Sequence, residues 1–336
     1  MIPVIAFFNT QGGVGTTTLV YHLAWKLADM GFRVLAADLD PQANLTGAFL
    51  DEDELEEIWH PLATPQTIFG SLRPLIKGTG DIADAPARRI NLHLDLVPGD
   101  IALSSFEDEL SAQWPNCLDG QERAFRVTSA FWRILQRAAS QSGAQVILMD
   151  LGPNLGAINR AALIAADFIV VPLAPDLFSL QGLRNLGPSI RKWRADWKSR
   201  LAKNPDPSLN LPKGDMMPAG YVVLQHAVRL DSPVQWSAAE RMAYIPYVYA
   251  ESVLGAQPST IDPPDPNRIA VLKDYRSLMP MAQEARKPIF HLKPADGALG
   301  AHLTAANAAG KEFEALATEL MSRAGLLPVI SSPAMP

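Results

Sequence analysis

Runs of apolar, often β-branched residues alternate along the chain with stretches in which apolar residues recur at helical spacing. This alternation predicts parallel β-strands that are joined by crossover helices. Several runs are apolar throughout, as expected for strands that are covered on both faces of a sheet. We therefore expect an α/β fold with a doubly wound, mostly parallel sheet flanked by helices. The clearest strand candidates are Val4–Phe8, Arg33–Asp38, Leu92–Val97, Gln145–Asp150, Phe168–Leu173 and Gly220–Leu224.

The first helix is predicted from about Thr17 to Met30, because its apolar residues form one stripe and Gly31 can supply a left-handed C-terminal stop. The proline-rich stretches 204–218 and 256–267 predict surface loops. Further helices are predicted at 100–111, 121–141, 155–166, 179–203 and 304–324. We expect one domain over 1–325, a loose tail at 326–336, and insertions near 51–93, 204–218 and 256–267.

The composition of the 336 residues, 48% hydrophobic and 19% charged, is typical of a globular protein with a large core. Apolar runs stay shorter than the roughly 18 residues that a membrane span needs, and the N-terminus lacks the features of a signal peptide. Cys117 is the single cysteine and the six histidines are scattered, which argues against a zinc or iron–sulfur site and favours the reducing cytoplasm. The net charge of −6 argues against a surface that is basic throughout.

A glycine-rich segment from Asn9 to Thr18 joins the first predicted strand to the first predicted helix. Such a loop can turn its backbone N–H groups inward, and the helix N-terminus adds partial positive charge, so the loop suits a phosphate. Ligands of open α/β sheets also bind at such carboxyl ends of strands. A glycine-rich turn alone would be weak evidence, because a minority of such turns simply pack a helix on a strand.

Carboxylates follow two further predicted strands. Asp38 and Asp40 end one strand, and Asp150 ends another. Because the carboxyl ends of parallel strands meet at one edge of a sheet, these side chains predict a magnesium–phosphate site beside the loop. The alternative is that each aspartate caps the following helix, but three of them beside a glycine-rich loop favour the metal site.

Together these motifs resemble the deviant Walker A ATPases of the ParA/MinD group, whose loop has the pattern KGGxGK[ST][ST]. Asp38–Gln42 resembles the Walker A′ motif of that group, and Asp150–Pro153 resembles its Walker B motif. The resemblance implies a P-loop NTPase fold, bound ATP or ADP with Mg²⁺, and a homodimer. It continues through 96–103, 159–166, 176–182 and 286–292, and so covers nearly the whole chain.

The resemblance also implies a role for each matched residue. Thr17, Asp38 and Asp150 would hold Mg²⁺ directly or through water, and Asp40 would position the attacking water. The residues that would bind the nucleotide are Gln11, Gly12, Gly13, Val14, Gly15, Thr16, Thr17, Thr18 and, near the base, Gln225.

Both lysines of the family's loop pattern are absent. Gln11 stands where the signature lysine would reach the γ-phosphate bound by a partner subunit, and Thr16 stands where the Walker A lysine would contact the β- and γ-phosphates. Neither residue brings positive charge to a transition state that spreads negative charge over phosphoryl oxygens. We therefore predict weakened triphosphate binding and slow or absent hydrolysis.

Two alternatives remain for this degenerate loop. An arginine from elsewhere could replace the lysines, with Arg160, Arg184 and Arg229 as candidates. Alternatively, Gln11 and Thr16 were introduced deliberately to trap one state of the protein.

Helix 179–203 carries seven basic residues against Asp196 and is a candidate surface for non-specific DNA binding, although a solvated helix face fits the same pattern. The resemblance implies an adaptor protein of unknown identity. Segment 304–324 has too many small and acidic residues for a membrane-binding amphipathic helix, so no membrane partner is expected.

Three functions fit these observations. The first is a ParA-like nucleotide switch of the partitioning or cell-organisation type, and the second is a hydrolysis-dead scaffold that acts through partner binding. The third is a metabolic P-loop enzyme of the dethiobiotin synthetase type. The sequence Asp40-Pro41-Gln42 favours the first function over the third.

Overall fold

The computed structural model describes residues 1–60, 66–84, 87–225, 238–256 and 265–327. One eight-stranded sheet runs through them, and every neighbouring pair of strands is parallel except β3 and β4, defined below. The strands are β1 (Val4–Phe7), β2 (Val34–Asp38), β3 (Arg88–Arg89), β4 (Leu94–Val97), β5 (Val146–Asp150), β6 (Phe168–Leu173), β7 (Met217–Leu224) and β8 (Arg268–Leu272). Their spatial order is β3-β4-β2-β5-β1-β6-β7-β8.

Helices cover both faces of this sheet. A π-helical turn, Tyr249–Leu254, packs against the longest of them. The α-helices of the described ranges are α1 (Thr16–Asp29), α2 (Asn44–Phe49), α3 (Glu52–Trp59), α4 (Ile68–Ile76), α5 (Phe106–Asn116), α6 (Glu122–Thr128), α7 (Ala130–Ser142), α8 (Ala157–Ile164), α9 (Leu177–Leu201), α10 (Ala238–Val248), α11 (Leu278–Ala285) and α12 (Ala301–Arg323).

Alternate residues of the central strand β1 enter two separate hydrophobic cores, one on each face of the sheet. Val4 and Ala6 lie in the core that is built with α4 to α9, whereas Ile5 and Phe7 lie in the core that is built with α1, α11 and α12. Successive side chains of a strand point to opposite faces, so a strand buried on both sides must be apolar throughout. The predicted doubly wound architecture is therefore confirmed.

All six predicted strands are present, and α1 ends as predicted, with Gly31 at a positive φ of 87°. The edge strands β3 and β8 were not predicted. β3 has two residues, too few for a periodic signal. β8 contains the short apolar run Ile269–Leu272, a strand signal that the prediction missed, and its Arg268 and Val271 are exposed.

Several helix predictions were wrong in extent. Helix 121–141 is divided into α6 and α7 at Ser129, whose hydroxyl donates to the Phe125 carbonyl at 2.7 Å. Helix 100–111 begins as a 3₁₀ turn, Ile101–Ser105, and continues as α5. Stretch 204–218 is irregular as predicted until β7 begins at Met217. The inserted segment 51–93 contains the unpredicted α3, α4 and β3, and most of 256–267 and of 326–336 lies outside the described residues.

Candidate nucleotide-binding site

The glycine-rich loop lies at the carboxyl edge of the sheet, between the end of β1 and the start of α1. Gly13 and Gly15 have φ values of 78° and 91°, a left-handed conformation that only glycine adopts without strain. A Cβ atom on Gly13 would meet nothing within 4 Å, so this glycine serves the backbone turn rather than close packing. The loop lines a cavity of about 750 Å³ with Gln11, Gly12, Gly13, Gly15, Thr16, Thr17 and Thr18, while Val14 is buried behind it.

Asp38 and Asp150 face each other in register at the ends of β2 and β5, and both are fully buried. The Thr17 hydroxyl donates to Asp150 Oδ2 at 2.7 Å. Asp38 Oδ2 accepts the backbone N–H of Thr46 at 2.8 Å and its hydroxyl at 2.7 Å. These contacts join the loop, β2, β5 and α2 at one point beneath the cavity.

The electrostatics of these two carboxylates fit a cation. Burial raises the pKa of Asp38 to about 6 despite the hydrogen bonds from Thr46. Burial and the neighbouring Asp38 raise the pKa of Asp150 well above its usual value. Asp150 Oδ1 is buried and has no hydrogen-bond partner among the described residues. Buried carboxylates with an unsatisfied oxygen are stabilised by a divalent ion with oxygen ligands, so Thr17, Asp38 and Asp150 fit Mg²⁺.

Asp40 lies above this pair and lines the cavity. Its Oδ1 accepts the backbone N–H of Gln42 at 2.9 Å, and burial raises the pKa of its carboxyl. The backbone N–H of Asp40 donates to Asp38 Oδ1 at 3.2 Å, which fixes the two aspartates relative to each other. Asp40 is thus the carboxylate of this motif that faces the cavity.

Thr46, Gly99 and Gly152 hold the aspartates in place and were not predicted. The Thr46 hydroxyl accepts from the Gly99 backbone N–H at 2.7 Å while it donates to Asp38. A Cβ on Gly99 would lie 2.8 Å from Asp38 Cγ, and one on Gly152 would lie 2.8 Å from Asp40 Oδ1. Gly99 and Gly152 each lie two residues after the end of a strand, and this position at the ligand edge is the sequence signal that could have identified the two glycines.

The side chain of Gln11 is bound within its own chain. Its Nε2 donates to Asp176 Oδ2 at 3.1 Å, and the Ser179 hydroxyl donates to its Oε1 at 2.8 Å. Asp176 is the N-cap of α9 and accepts the Ser179 backbone N–H at 2.7 Å. The residue at the signature-lysine position therefore fastens the loop to the start of α9.

Two of the replacement arginines proposed from the sequence, Arg160 and Arg184, do not line the cavity. The Arg160 guanidinium lies 4.5 Å from the centre of the Trp114 ring, and Arg184 projects from α9 outside the lining. Arg229 lies outside the described residues. Among the described residues, the cationic side chains that line the cavity are Arg286 and Lys287, which follow α11.

A second cavity of about 200 Å³ adjoins the first, because Gly15, Thr18 and His22 line both. Gln225 lines this second cavity rather than the first, and its backbone N–H donates to the Leu272 carbonyl at 2.8 Å. The structure thus brings Gln225 beside the helix end of the loop but away from the loop's Gln11 end.

The side chain of His22 lines both cavities and is uncharged. Its Nε2 accepts the Ile289 backbone N–H at 3.1 Å, so its Nδ1 carries the proton and donates to the Thr18 carbonyl at 2.7 Å. Burial lowers the pKa of His22 to about 4. The loop side of the site therefore gains no positive charge from this histidine at neutral pH.

The basic surface predicted on helix 179–203 is smaller than expected. Arg191 donates to the Ser252 carbonyl, Arg194 donates to the Met216 carbonyl, and the buried Arg200 donates to the Trp114 carbonyl at 2.9 Å. These guanidinium groups support the fold. The basic residues that remain exposed without such a backbone contact are Arg184, Lys192, Lys198 and Lys203.

Within the described ranges, no cluster of three or more histidine, cysteine or carboxylate side chains could hold a metal ion by itself. A magnesium ion at Asp38 and Asp150 would thus need Thr17, water or a phosphate as further ligands. No helix in the same ranges is long and apolar enough to cross a membrane.

A parallel sheet with a glycine-rich loop and two strand-end carboxylates at one edge defines a P-loop NTPase domain. Residues 2–203, more than half of the chain, match a family model described as an AAA domain. The chromosome partitioning protein ParA of Caulobacter vibrioides is 30% identical over 201 residues, which cover 60% of this chain and 66% of that protein. The sporulation initiation inhibitor Soj of Bacillus subtilis is 29% identical over 192 residues, which cover 57% and 66%. The chain belongs to this AAA domain family and, within it, to the ParA family.

These matches span slightly less than two thirds of each relative's length. Solved structures extend the similarity of the fold to nearly the whole chain. A protein from Corynebacterium diphtheriae is 24% identical with a TM-score of 0.71, covering 96% of this chain and 99% of that one. A Cyanothece McdA variant in complex with ATP is 16% identical with a TM-score of 0.62, covering 98% and 99%.

Proposed function

We propose that this chain is a ParA-type nucleotide switch that binds ATP or ADP with Mg²⁺ and hydrolyses ATP very slowly or not at all. One observation carries the proposal. Thr17, which lines the cavity at the start of α1, donates its hydroxyl to the fully buried Asp150, and the second oxygen of that carboxylate has no hydrogen-bond partner among the described residues. The ATP complex of the similarly folded McdA supports the choice of nucleotide.

In this proposal Thr17, Asp38 and Asp150 hold the magnesium ion. The ion would supply the positive charge that allows two facing carboxylates to stay ionised in a buried position. Thr46 keeps Asp38 pointing to the same place through two hydrogen bonds, so part of the metal site is formed before any ligand arrives.

The loop Gln11–Thr18 would hold the phosphates with its backbone N–H groups. Positive φ at Gly13 and Gly15 allows the turn that such a cradle needs, and the N-terminus of α1 adds partial positive charge. Gln225 and the second cavity would receive the base. Asp40 would orient the attacking water, but the loop has no ammonium group to stabilise the charge that develops.

Measurements of nucleotide affinity and phosphate release would test this function, comparing the chain with a Gln11→Lys/Thr16→Lys double variant and with each single variant. We expect Mg²⁺-dependent binding of ATP and ADP by the unmodified chain, with phosphate release near background. The double variant should bind ATP about tenfold more tightly, since about 1.4 kcal/mol from charge gives that factor. Rapid hydrolysis by the unmodified chain would contradict the proposed role of the loop.

The surface beside the loop favours the formation of a homodimer, in which a second copy of the chain covers it. Ile101, Leu155 and Phe178 follow β4, β5 and β6 and are 60%, 39% and 74% exposed. Exposed apolar side chains at one edge of a sheet favour a protein contact there. The oligomeric state, measured by light scattering with and without ATP, separates a nucleotide-controlled dimer from a constitutive scaffold.

Binding to DNA and to an adaptor protein are further proposals that depend on the family. Arg184, Lys192, Lys198 and Lys203 could contact phosphates without breaking a backbone contact, although Lys192 pairs with Asp196 at 2.9 Å. Any DNA affinity through these residues must fall steeply as salt is added. Affinity that salt leaves unchanged would exclude this surface.

A further inference from the structure

The two walls of the main cavity differ in charge. The loop wall presents backbone N–H groups, Gln11 and Thr16, and His22 beside it is neutral at physiological pH. The segment that follows α11 contributes Arg286 and Lys287 to the same cavity. Any positive side-chain charge that the described residues offer to a phosphate in this cavity therefore comes from this segment and not from the loop.

The two cations are not equally available. Lys287 Nζ forms an ion pair with Asp296 Oδ1 at 2.7 Å, so a phosphate would have to compete with that carboxylate. Arg286 has no carboxylate partner among the described residues, and one N–H of its guanidinium donates to the Leu50 carbonyl. A guanidinium carries five N–H donors, and its planar fork matches phosphate oxygens. Arg286 can therefore keep its contact with Leu50 and still donate to a ligand.

The backbone conformation of Arg286 also supports a role for this residue in ligand binding. Arg286 has a φ of 50° as the C-cap of α11, a left-handed conformation that is strained for a non-glycine residue. Glycine is the usual residue at such a helix end. Side chains held in this conformation occur at ligand clamps, where the surrounding structure maintains them.

We propose that Arg286 is a phosphate-binding residue of this cavity and supplies the positive charge that Gln11 and Thr16 do not. The inference rests on the proposed nucleotide binding and assigns one of its contacts. Because the contact is to phosphate, it strengthens with the number of phosphate charges and is absent for a nucleoside. The arginine thus makes the pocket selective for charged nucleotides even though the loop lacks lysine.

Calorimetric titrations of ATP, ADP and adenosine with Mg²⁺ would test the proposal on the full chain and three variants. We expect Arg286→Gln to lower ATP affinity by between about tenfold and hundredfold, the range for a hydrogen bond to a charged group. Lys287→Gln is the matched control and should lower ATP affinity by less than about threefold, because its charge is already paired. Adenosine affinity should not change in either variant. Arg286→Gly, which suits the positive φ, guards against a folding defect and should lose ATP affinity as Arg286→Gln does.

The outcomes separate this inference from the function on which it rests. If the unmodified chain binds ATP and both Arg286 variants bind it equally well, the inference is wrong while the proposed function stands. If the unmodified chain binds no adenine nucleotide, the proposed function is wrong and the inference falls with it. Equal losses for ATP and adenosine, or for Arg286→Gln and Lys287→Gln, would also overturn the inference, because neither pattern reports a specific phosphate contact.

Discussion

The metal half and the phosphate half of the site differ in how firmly the fold fixes their residues. Asp38, Asp150 and Thr46 are fully buried and hydrogen-bonded across three elements, whereas Gln11 in the loop and Thr16 at the first position of α1 are partly exposed. A change in the buried half leaves a charge or a donor unsatisfied, which costs folding free energy. A change in the loop half alters chemistry at little cost to the fold. A P-loop protein can therefore lose its lysines and keep its metal site.

The largest effect on stability is expected from a substitution of Thr46 in the metal half of the site. Thr46→Val removes the hydroxyl donor to Asp38 and leaves the Gly99 backbone N–H without its acceptor. We expect the free energy of unfolding to fall by about 2–4 kcal/mol, since both groups are buried. Denaturant titration measures this loss. Thr46→Ser keeps both hydrogen bonds and should lose much less, and equal losses in the two variants would mean that packing of the methyl group matters instead.

The neutral state of His22 can be tested by pH. The pKa of this buried imidazole is lowered from 6.5 to about 4, so the unfolded chain binds the proton more tightly than the folded chain. The contribution of His22 to stability should be complete above pH 6.5 and should fall by about 3 kcal/mol as the pH drops toward 4. Protonation of Asp38 and Asp150, whose pKa values are raised in the folded chain, acts in the opposite direction over the same range. Thermal unfolding should therefore show that the stability of the unmodified chain, measured relative to that of His22→Gln, falls between pH 6.5 and pH 4. A stability difference between the two proteins that does not change with pH would mean that His22 does not titrate in this range.

A pair of glycine substitutions sharpens the contrast between the halves. Gly99→Ala would place its Cβ 2.8 Å from Asp38 Cγ, whereas Gly13→Ala would meet no atom within 4 Å and would strain the backbone alone. We expect Gly99→Ala to cost about 1–3 kcal/mol of stability by overpacking. It should also weaken Mg²⁺ binding, which calorimetry can follow. Gly13→Ala should leave the metal affinity of the nucleotide-free protein unchanged, and a shared loss of metal affinity would contradict the division into halves.

The smallest effect is expected at Gln11. Gln11→Ala removes the hydrogen bonds to Asp176 and Ser179, and since these are partly exposed we expect a loss of about 1 kcal/mol or less. Hydrogen exchange of the N–H groups at the start of α9 should report the loosened contact. Asp176→Asn provides the comparison, because it weakens the same contact from the other side. Exchange that is unaltered in both variants would show that Gln11 does not anchor the loop.

The sequence predicted those parts of the site whose signals are local. Asp38, Asp150 and Gly13 sit at strand ends or in a turn, where a few neighbouring residues reveal the conformation. Thr46 could not be predicted in its role, because its partner Gly99 is 53 residues away along the chain. Likewise, short helices such as α2 and α3, with six and eight residues, give too few turns for a clear periodic signal.

The role of Arg286 also could not be predicted from the sequence, because it depends on contacts between segments that are far apart along the chain. The segment 286–292 was recognised as part of the family pattern, but the placement of its first residues in the cavity lining depends on the unpredicted β8 and α11. The three arginines chosen from the sequence were selected by position along the chain. The topology of the sheet decides which distant segment contributes a charged residue to the pocket. The spacing of residues along the sequence therefore cannot predict that residue.

The anchoring of Gln11 to α9 has a mechanical consequence. With 25 residues, α9 is a rod roughly 37 Å long, so a tilt of about 5° at one end displaces the other by about 3 Å. The C-terminal end of α9 is hydrogen-bonded to α5, because Arg200 donates to the Trp114 carbonyl. Glu107, at the other end of α5, accepts the first two backbone N–H groups of α8, which follows β5 and Asp150 in the chain. These hydrogen bonds connect the loop, α9, α5 and α8 in sequence, so the N-terminus of α8 beyond Asp150 is linked to Gln11 through the body of the protein.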